Sequence, residues 1–317
     1  MMTKPLIRSR TGNQRVSVAL SELLQLSASA RQLSLAALRR TNPHSGQRMS
    51  RLLARGMEFA ESRRYQTGDD IRNIDWRVTA RTGKTHTKLF TVEKERRVLL
   101  SVDMQSSMFF ATKGSFKSVQ AALMMGYVAW SAEQAGDRLG GMIFDDVDLF
   151  ESRPTLGKKG ILPFLNALAE RSDFLTKKND SNGTAKGSMM DLAIANLRQI
   201  ATPGSLVFII SDFRHLSSSA YNLLLQISMH SDLCLCFIYD PIEKALPKNG
   251  YFPVTDGKNE VQLNTYAKKS LEKYQQQFIE RRERIASLGN QRHIHFIECS
   301  TEDDCFEVLT KRFNKRS

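Results

Sequence analysis

Two aspartates close apolar runs in this chain: Asp103 ends VLLSVD (98–103) and Asp212 ends SLVFIISD (205–212). Ser106 and Ser107 follow the first closely, and Ser188 opens a helical stretch just after Gly187. Carboxylates and small hydroxyls converging at strand ends suit a hard divalent cation. Mg²⁺ takes oxygen ligands in octahedral geometry and keeps waters or an outside ligand. No His or Cys stands beside these positions, which argues against zinc. The alternative is that Asp103 and Asp212 only accept backbone hydrogen bonds where their loops begin.

Such a site needs a sheet that brings the strand ends to one pole. From Arg97 onward, strand-like runs at 98–103, 138–144, 205–212, 233–240 and 293–299 alternate with helical periodicity at 115–135, 160–170, 188–201, 216–229, 266–288 and 303–313. Asp145-Asp146 turns the second strand back into VDLFE (147–151) as a hairpin, and Ser115 stands where the first of these helices needs an N-cap. This alternation predicts an α/β doubly wound, mostly parallel sheet. Ligands of parallel sheets sit at the carboxyl ends of the strands, where Asp103, Asp212 and Asp240 fall. The long helix at 266–288 carries Leu271, Phe278, Ile279 and Ile285 on one side and reads as an outer helix of the sheet.

Three segments are expected: a disordered N-terminus over 1–16, a basic segment over 17–96 packed on the sheet, and the α/β domain over 97–317. The second is helical over 17–40, with short strands and loops over 47–95. Of the net +13, residues 1–100 hold +12, from 20 Lys and Arg against 8 Asp and Glu, and the remainder holds 26 against 25. That asymmetry suggests an acidic partner: nucleic acid, an anionic membrane surface or an acidic protein face. No apolar run reaches the roughly 18 residues of a membrane span, and the first residues lack the apolar core of a signal peptide. The expectation is a cytoplasmic protein, with Cys234, Cys236, Cys299 and Cys305 as small core residues.

The segment GMEFAESRRYQTGDDIRNIDWRVTARTGKTHTKLFTVEKE (56–95) resembles the signature of the DUF58 family. Gly56, Glu58, Phe59, Arg63, Tyr65, Gly68, Asp69, Asp70, Arg72, Ile74, Asp75, Trp76, Ala80, Arg81 and Glu93 carry the match. It continues through GDRLG (136–140), ISDF (210–213) and DPIE (240–243). Many members carry two N-terminal membrane helices; this chain resembles the soluble branch. The resemblance implies a von Willebrand factor A-like domain with a metal-ion-dependent adhesion site. It also implies an adaptor role beside a MoxR-type AAA+ ATPase and a client protein. Carried onto this sequence, that site comprises Asp103, Gln105, Ser107, Ser188 in the Thr role, and Asp212, binding Mg²⁺ or Mn²⁺. Gln105 departs from the pattern, which has Ser there.

Within the signature, Arg63, Arg64, Arg72, Arg77 and Arg81 interleave with Asp69, Asp70 and Asp75. Alternation of this kind predicts a salt-bridged surface that staples the segment to the sheet, with Gly68 supplying a turn, Trp76 as an anchor and a partner-docking face as a compatible role. The functional expectation is a non-catalytic binding module. A metal-dependent hydrolase or phosphatase is the enzymatic alternative, since a strand-end carboxylate can be a nucleophile. Position 105 lacks the second Asp that such phosphotransferases use, however, and there is no GxSxG elbow or P-loop. His86, His215, His293 and His295 have no evident nucleophile partner. Nucleic-acid binding through the basic third is the remaining alternative, disfavoured because aromatics are sparse among the basic residues.

Overall fold

The computed structural model describes residues 12–38, 57–92, 95–173, 188–247, 250–255, 260–264, 268–291 and 294–313. The chain divides into two units, one formed by 1–40 with 96–317 and the other by 41–95.

The larger unit is built on six strands: β3 (Arg97–Asp103), β4 (Arg138–Phe144), β5 (Leu149–Leu156), β6 (Leu206–Ser211), β7 (Asp232–Tyr239) and β10 (Ile294–Ser300). Their order across the sheet is β10-β7-β6-β3-β4-β5. All neighbours are parallel except the edge strand β5, which returns antiparallel to β4. The expected hairpin at Asp145-Asp146 is present, its turn held by the Asp145 carboxylate accepting from the N–H groups of Val147 and Asp148, both at 2.9 Å.

Apolar residues on consecutive positions of a strand point to opposite faces. In β3, β6 and β7 both faces are buried. Val98, Leu100, Val102, Leu206, Phe208, Ile210, Cys234, Cys236 and Ile238 enter one core cluster. Leu99, Val207, Ile209, Leu233, Leu235 and Phe237 enter the other. The first cluster is completed by α1 (Leu20–Ala30), α3 (Lys117–Gln134), α4 (Lys158–Ser172) and α9 (Cys305–Phe313). The second is completed by α5 (Met189–Ile200), α6 (Ser218–Ser228) and α8 (Lys268–Gly289). Near-continuous apolar runs in the central strands follow from cover on both sides.

Helix α1 falls in the larger unit, although its residues were grouped by sequence with the 17–96 segment. It rests on α3: Trp130 Nε1 donates to the Leu23 carbonyl at 2.8 Å, and Ser131 Oγ to that of Leu33 at 2.9 Å. Of the span expected to be disordered, Gly12–Arg15 forms a 3-10 turn and residues 1–11 lie outside the described residues. Ser115 does not cap α3; that position is Phe116, and the Ser115 N–H donates instead to the Thr301 carbonyl. A hairpin of β8 (Tyr251–Thr255) and β9 (Glu260–Asn264) occupies a stretch the sequence reading left without elements. On α8, Phe278 and Ile285 are buried as expected, whereas Ile279 is exposed. All four cysteines are buried and free.

The smaller unit is an antiparallel hairpin of β1 (Met57–Arg64) and β2 (His86–Val92), with the short helix α2 (Trp76–Thr82) in the connection. Gly68 turns the chain at φ 108°, a conformation open to glycine. The expected salt-bridged network is mostly a set of caps. Asp70 accepts from the N–H of Arg72, and Asp75 caps α2 by accepting from the N–H of Val78. Asp75 also accepts from the Ser62 hydroxyl at 2.7 Å, and that bond, then the one from Val78, holds its carboxyl below the usual range. Of the expected ion pairs, Arg63–Asp69, at 2.8 Å, is formed among the described residues. The Tyr65 hydroxyl donates to the Asp69 carbonyl. Gly56 and Glu93 lie outside the described residues.

Candidate functional site

The chain runs from β3 through α3 to β4 on one side, then returns to β6 on the other, so the strand order reverses between β3 and β6. A crevice at the carboxyl ends of two such strands is where open α/β sheets place ligands. Asp103 ends β3 and Asp212 follows β6, so both carboxylates stand at the carboxyl ends of these two neighbouring strands. Asp240 follows the next strand, β7.

Each aspartate is buried, and each is held differently. Asp103 Oδ1 accepts from the Gln105 N–H at 2.8 Å, and Oδ2 accepts from the Ser211 hydroxyl at 2.6 Å. Burial, and then the charge of Asp212, push its pKa up to about 7. Asp212 has the opposite fate. Burial alone would raise its pKa, but the Lys117 ammonium at 2.7 Å and the Arg214 guanidinium at 3.1 Å hold it well below the usual range. Asp240 is a structural cap. It accepts from the N–H and hydroxyl of Thr112, both at 2.7 Å, and from the Thr301 hydroxyl and the Ile242 N–H.

Lys117, the first residue of α3, is wholly buried. A lysine there is electrostatically unfavourable at a helix N-terminus and costly to desolvate unless paired. Its Nζ donates to Asp212 Oδ2 at 2.7 Å and to Glu243 Oε1 at 2.6 Å. Glu243, on the short helix α7 (Pro241–Lys244), also pairs through Oε2 with Arg214 and with Arg281 of α8, both at 2.9 Å. Arg281 in turn lies over the rings of Phe237 and Phe278. Phe213, between Asp212 and Arg214, has φ 53°, a conformation that non-glycine residues adopt at a cost. Its ring stacks on Phe237.

The expected cation ligands are therefore only partly assembled. Gln105 Oε1 and Ser107 Oγ are buried with no hydrogen-bond partner among the described residues, and oxygens of that kind would suit a cation. The rest of the set does not fit one. Ser188 turns its hydroxyl to the His215 carbonyl at 3.2 Å. Asp212 already receives the Lys117 ammonium, the Arg214 guanidinium and the Arg214 N–H. Among the described residues no three His, Cys, Asp or Glu side chains come together as a metal-binding group. Lys117, Arg214, Arg281 and Glu243 escaped the sequence reading, although Glu243 sits in the DPIE stretch and Lys117 heads a helix buried without a break from Lys117 to Ala132.

In the smaller unit the signature residues are placed differently from expectation. Trp76 is not a buried anchor: it is 69% exposed, as Ile71 is 67% exposed. Arg72 and Arg77, their neighbours in sequence, and Arg81 of the same helix as Trp76 are exposed as well.

Residues 61–284 match the family described as protein of unknown function DUF58. The chain belongs to the DUF58 family. Relatives of this DUF58 protein include uncharacterized proteins of Mycobacterium bovis and Mycobacterium tuberculosis, each 31% identical over 160 residues, or 50% of this chain and 47% of theirs. The chain thus spans about half the length of the curated relatives it matches. Among solved structures, it is similar to the conserved hypothetical protein BatB from Bacteroides thetaiotaomicron, with TM-score 0.41, 15% identity and coverage of 69% of this chain and 98% of that one. It is also similar to an uncharacterized membrane spanning protein from Vibrio fischeri, with TM-score 0.23, 16% identity and the same coverage. The cytoplasmic expectation stands against one of these neighbours, the Vibrio fischeri protein, which is described as membrane spanning. No helix among the described residues is long and apolar enough to cross a membrane.

Proposed function

We propose that this DUF58 protein is a non-catalytic adaptor. In this reading its main unit is a von Willebrand factor A-like module, and it works beside a MoxR-type AAA+ ATPase. It docks an acidic face of that ATPase, or of a client, through the 57–92 unit. The observation that carries the reading is the exposure of Trp76 and Ile71 among Arg72, Arg77 and Arg81, whose side chains have no ion-pair partner among the described residues. Trp and Arg are the residues most enriched at binding hot spots, and an exposed large aromatic rimmed by cations fits a partner with apolar and acidic groups together. The strand-end carboxylates support the non-catalytic part. Asp212 is neutralised by two fixed cations, and Asp103 has both oxygens engaged by donors within the fold.

The test mixes the purified protein with the MoxR-type ATPase of the same organism and measures affinity by fluorescence anisotropy. Trp76→Ala and Arg72→Glu are each expected to weaken binding about tenfold or more, the scale of a hot-spot residue. Unchanged affinity in both variants would refute the docking surface. Turnover of a generic phosphoester, lost on Asp103→Asn, would refute the non-catalytic assignment.

A further inference from the structure

We propose that the Lys117 ammonium is a built-in cation that takes the place of a divalent metal at the β3–β6 switch point and makes this pole metal-independent. The inference stands on the pole alone and does not rest on the docking surface proposed above.

Three features of the geometry lead to it. The ammonium is wholly buried and bridges two carboxylates from different elements, Asp212 after β6 at 2.7 Å and Glu243 on α7 at 2.6 Å. Bridging of that kind is the role a divalent ion plays between acidic ligands, here filled by a group with three donors and no lone pair to offer a metal. The second feature is that the remaining faces of the same carboxylates are also taken by cations. Arg214 contacts both Asp212 and Glu243, and Arg281 contacts Glu243. A divalent ion entering here would meet three fixed positive charges, a repulsion that grows as the surroundings lose water. The third feature is the loop after β3. Asp103, which in a metal-loaded arrangement would turn oxygens to the ion, is engaged by the Gln105 N–H and the Ser211 hydroxyl. Ser188 donates to the His215 carbonyl. Gln105 Oε1 and Ser107 Oγ are left as unpartnered oxygens, but the two carboxylates that would anchor a cation beside them, Asp103 and Asp212, are already engaged by donors and cations of the fold.

The experiment is a metal titration read by thermal unfolding and by isothermal calorimetry, using Mg²⁺ and Mn²⁺ as the probes against an EDTA-treated reference. The wild-type midpoint is expected to be the same in EDTA and in millimolar metal, with no calorimetric binding. Lys117→Ala removes the ammonium and leaves Asp212 and Glu243 facing the space it filled. That variant is expected to melt lower in EDTA and to recover by several degrees as metal is added, because a ligand bound only by the folded state raises the midpoint. Should Lys117→Ala not fold, Lys117→Met, which keeps most of the side chain's volume and both carboxylates and removes only the charge, takes its place in the same titration. A metal-dependent rise in the wild type that disappears in Asp103→Ala overturns the proposal. So does a folded lysine variant that gains no response to metal. Failure of Trp76→Ala to affect partner binding leaves both readouts untouched, so the two readings fail separately.

Discussion

Replacing Asp103 by Asn should make the protein relatively more stable as pH rises, and the size of the effect follows from where the carboxylate sits. Asp103 is fully buried at the end of β3, beside the permanently ionised Asp212, and its pKa is raised from 3.8 to about 7. A folded-state pKa above the unfolded value means that the folded protein holds the proton more tightly. The stabilisation is fully present below the unfolded pKa and is lost as pH climbs through about 7. One pKa unit corresponds to about 1.4 kcal/mol, so going from about pH 5 to about pH 8 removes roughly 2–3 kcal/mol of wild-type stability through this one group. Asp212 shifts downward and stays ionised throughout that window, so it contributes no slope there. Asn has the shape of the protonated acid. Its Oδ1 can accept from the Gln105 N–H and its Nδ2 can donate to Ser211 Oγ, so any fixed penalty for the altered hydrogen bonds, about 1 kcal/mol, is independent of pH. Urea unfolding of both proteins at several pH values between these limits gives the difference directly. It is expected to move by about 2–3 kcal/mol in favour of Asn across the window. A difference that does not change with pH, or that moves in favour of Asp, would refute the burial argument.

Other consequences can be checked in parallel. Gly141, at φ 155° in β4, faces the backbone of Leu100 so closely that a Cβ would clash with its carbonyl oxygen; Gly141→Ala should cost about 3 kcal/mol in urea unfolding. Arg96→Ala leaves the buried Asp232 carboxylate without its guanidinium partner and removes a donor to the Leu38 carbonyl, so a loss of about 3–5 kcal/mol is expected by the same measurement. Trp76→Ala should change unfolding stability by no more than about 0.5 kcal/mol, because the ring is largely in water; a larger loss would mean that Trp76 is an anchor after all.

The six-stranded sheet and the helices that cover it were legible because burial on both faces writes long apolar runs, as in VLLSVD and SLVFIISD, and because the helices between them keep their periodicity. The carboxyl-end pole followed, since it needs only the strands and their ends, whereas the strand order that makes β3 and β6 neighbours did not. The partners of Asp212 were not legible. Lys117 and Asp212 are 95 residues apart and Lys117 and Glu243 are 126 apart, and a lone lysine at a helix start reads as a solvated side chain until the fold buries it. The β8–β9 hairpin was missed because a strand holding Pro253, next to glycine- and lysine-rich turns, has no clean alternation. Trp76 was misread for the opposite reason. A tryptophan in a polar stretch suggests an anchor, whereas here it opens a short exposed helix capped by Asp75. The arginines of the signature alternate with aspartates in sequence, yet Asp70 and Asp75 turn to backbone N–H groups, which a local turn brings closer than a neighbouring guanidinium.

The central claim is that the 57–92 unit, and not the carboxyl-end pole of the sheet, meets the partner. Hydrogen exchange of this protein alone and after addition of the proposed partner, a MoxR-type ATPase, separates the two most directly. The account predicts slowed exchange over 71–82, with the pole loops at 104–116 and 212–217 unchanged and the pattern indifferent to EDTA. Protection confined to those pole loops, or dependent on added Mg²⁺, would contradict it.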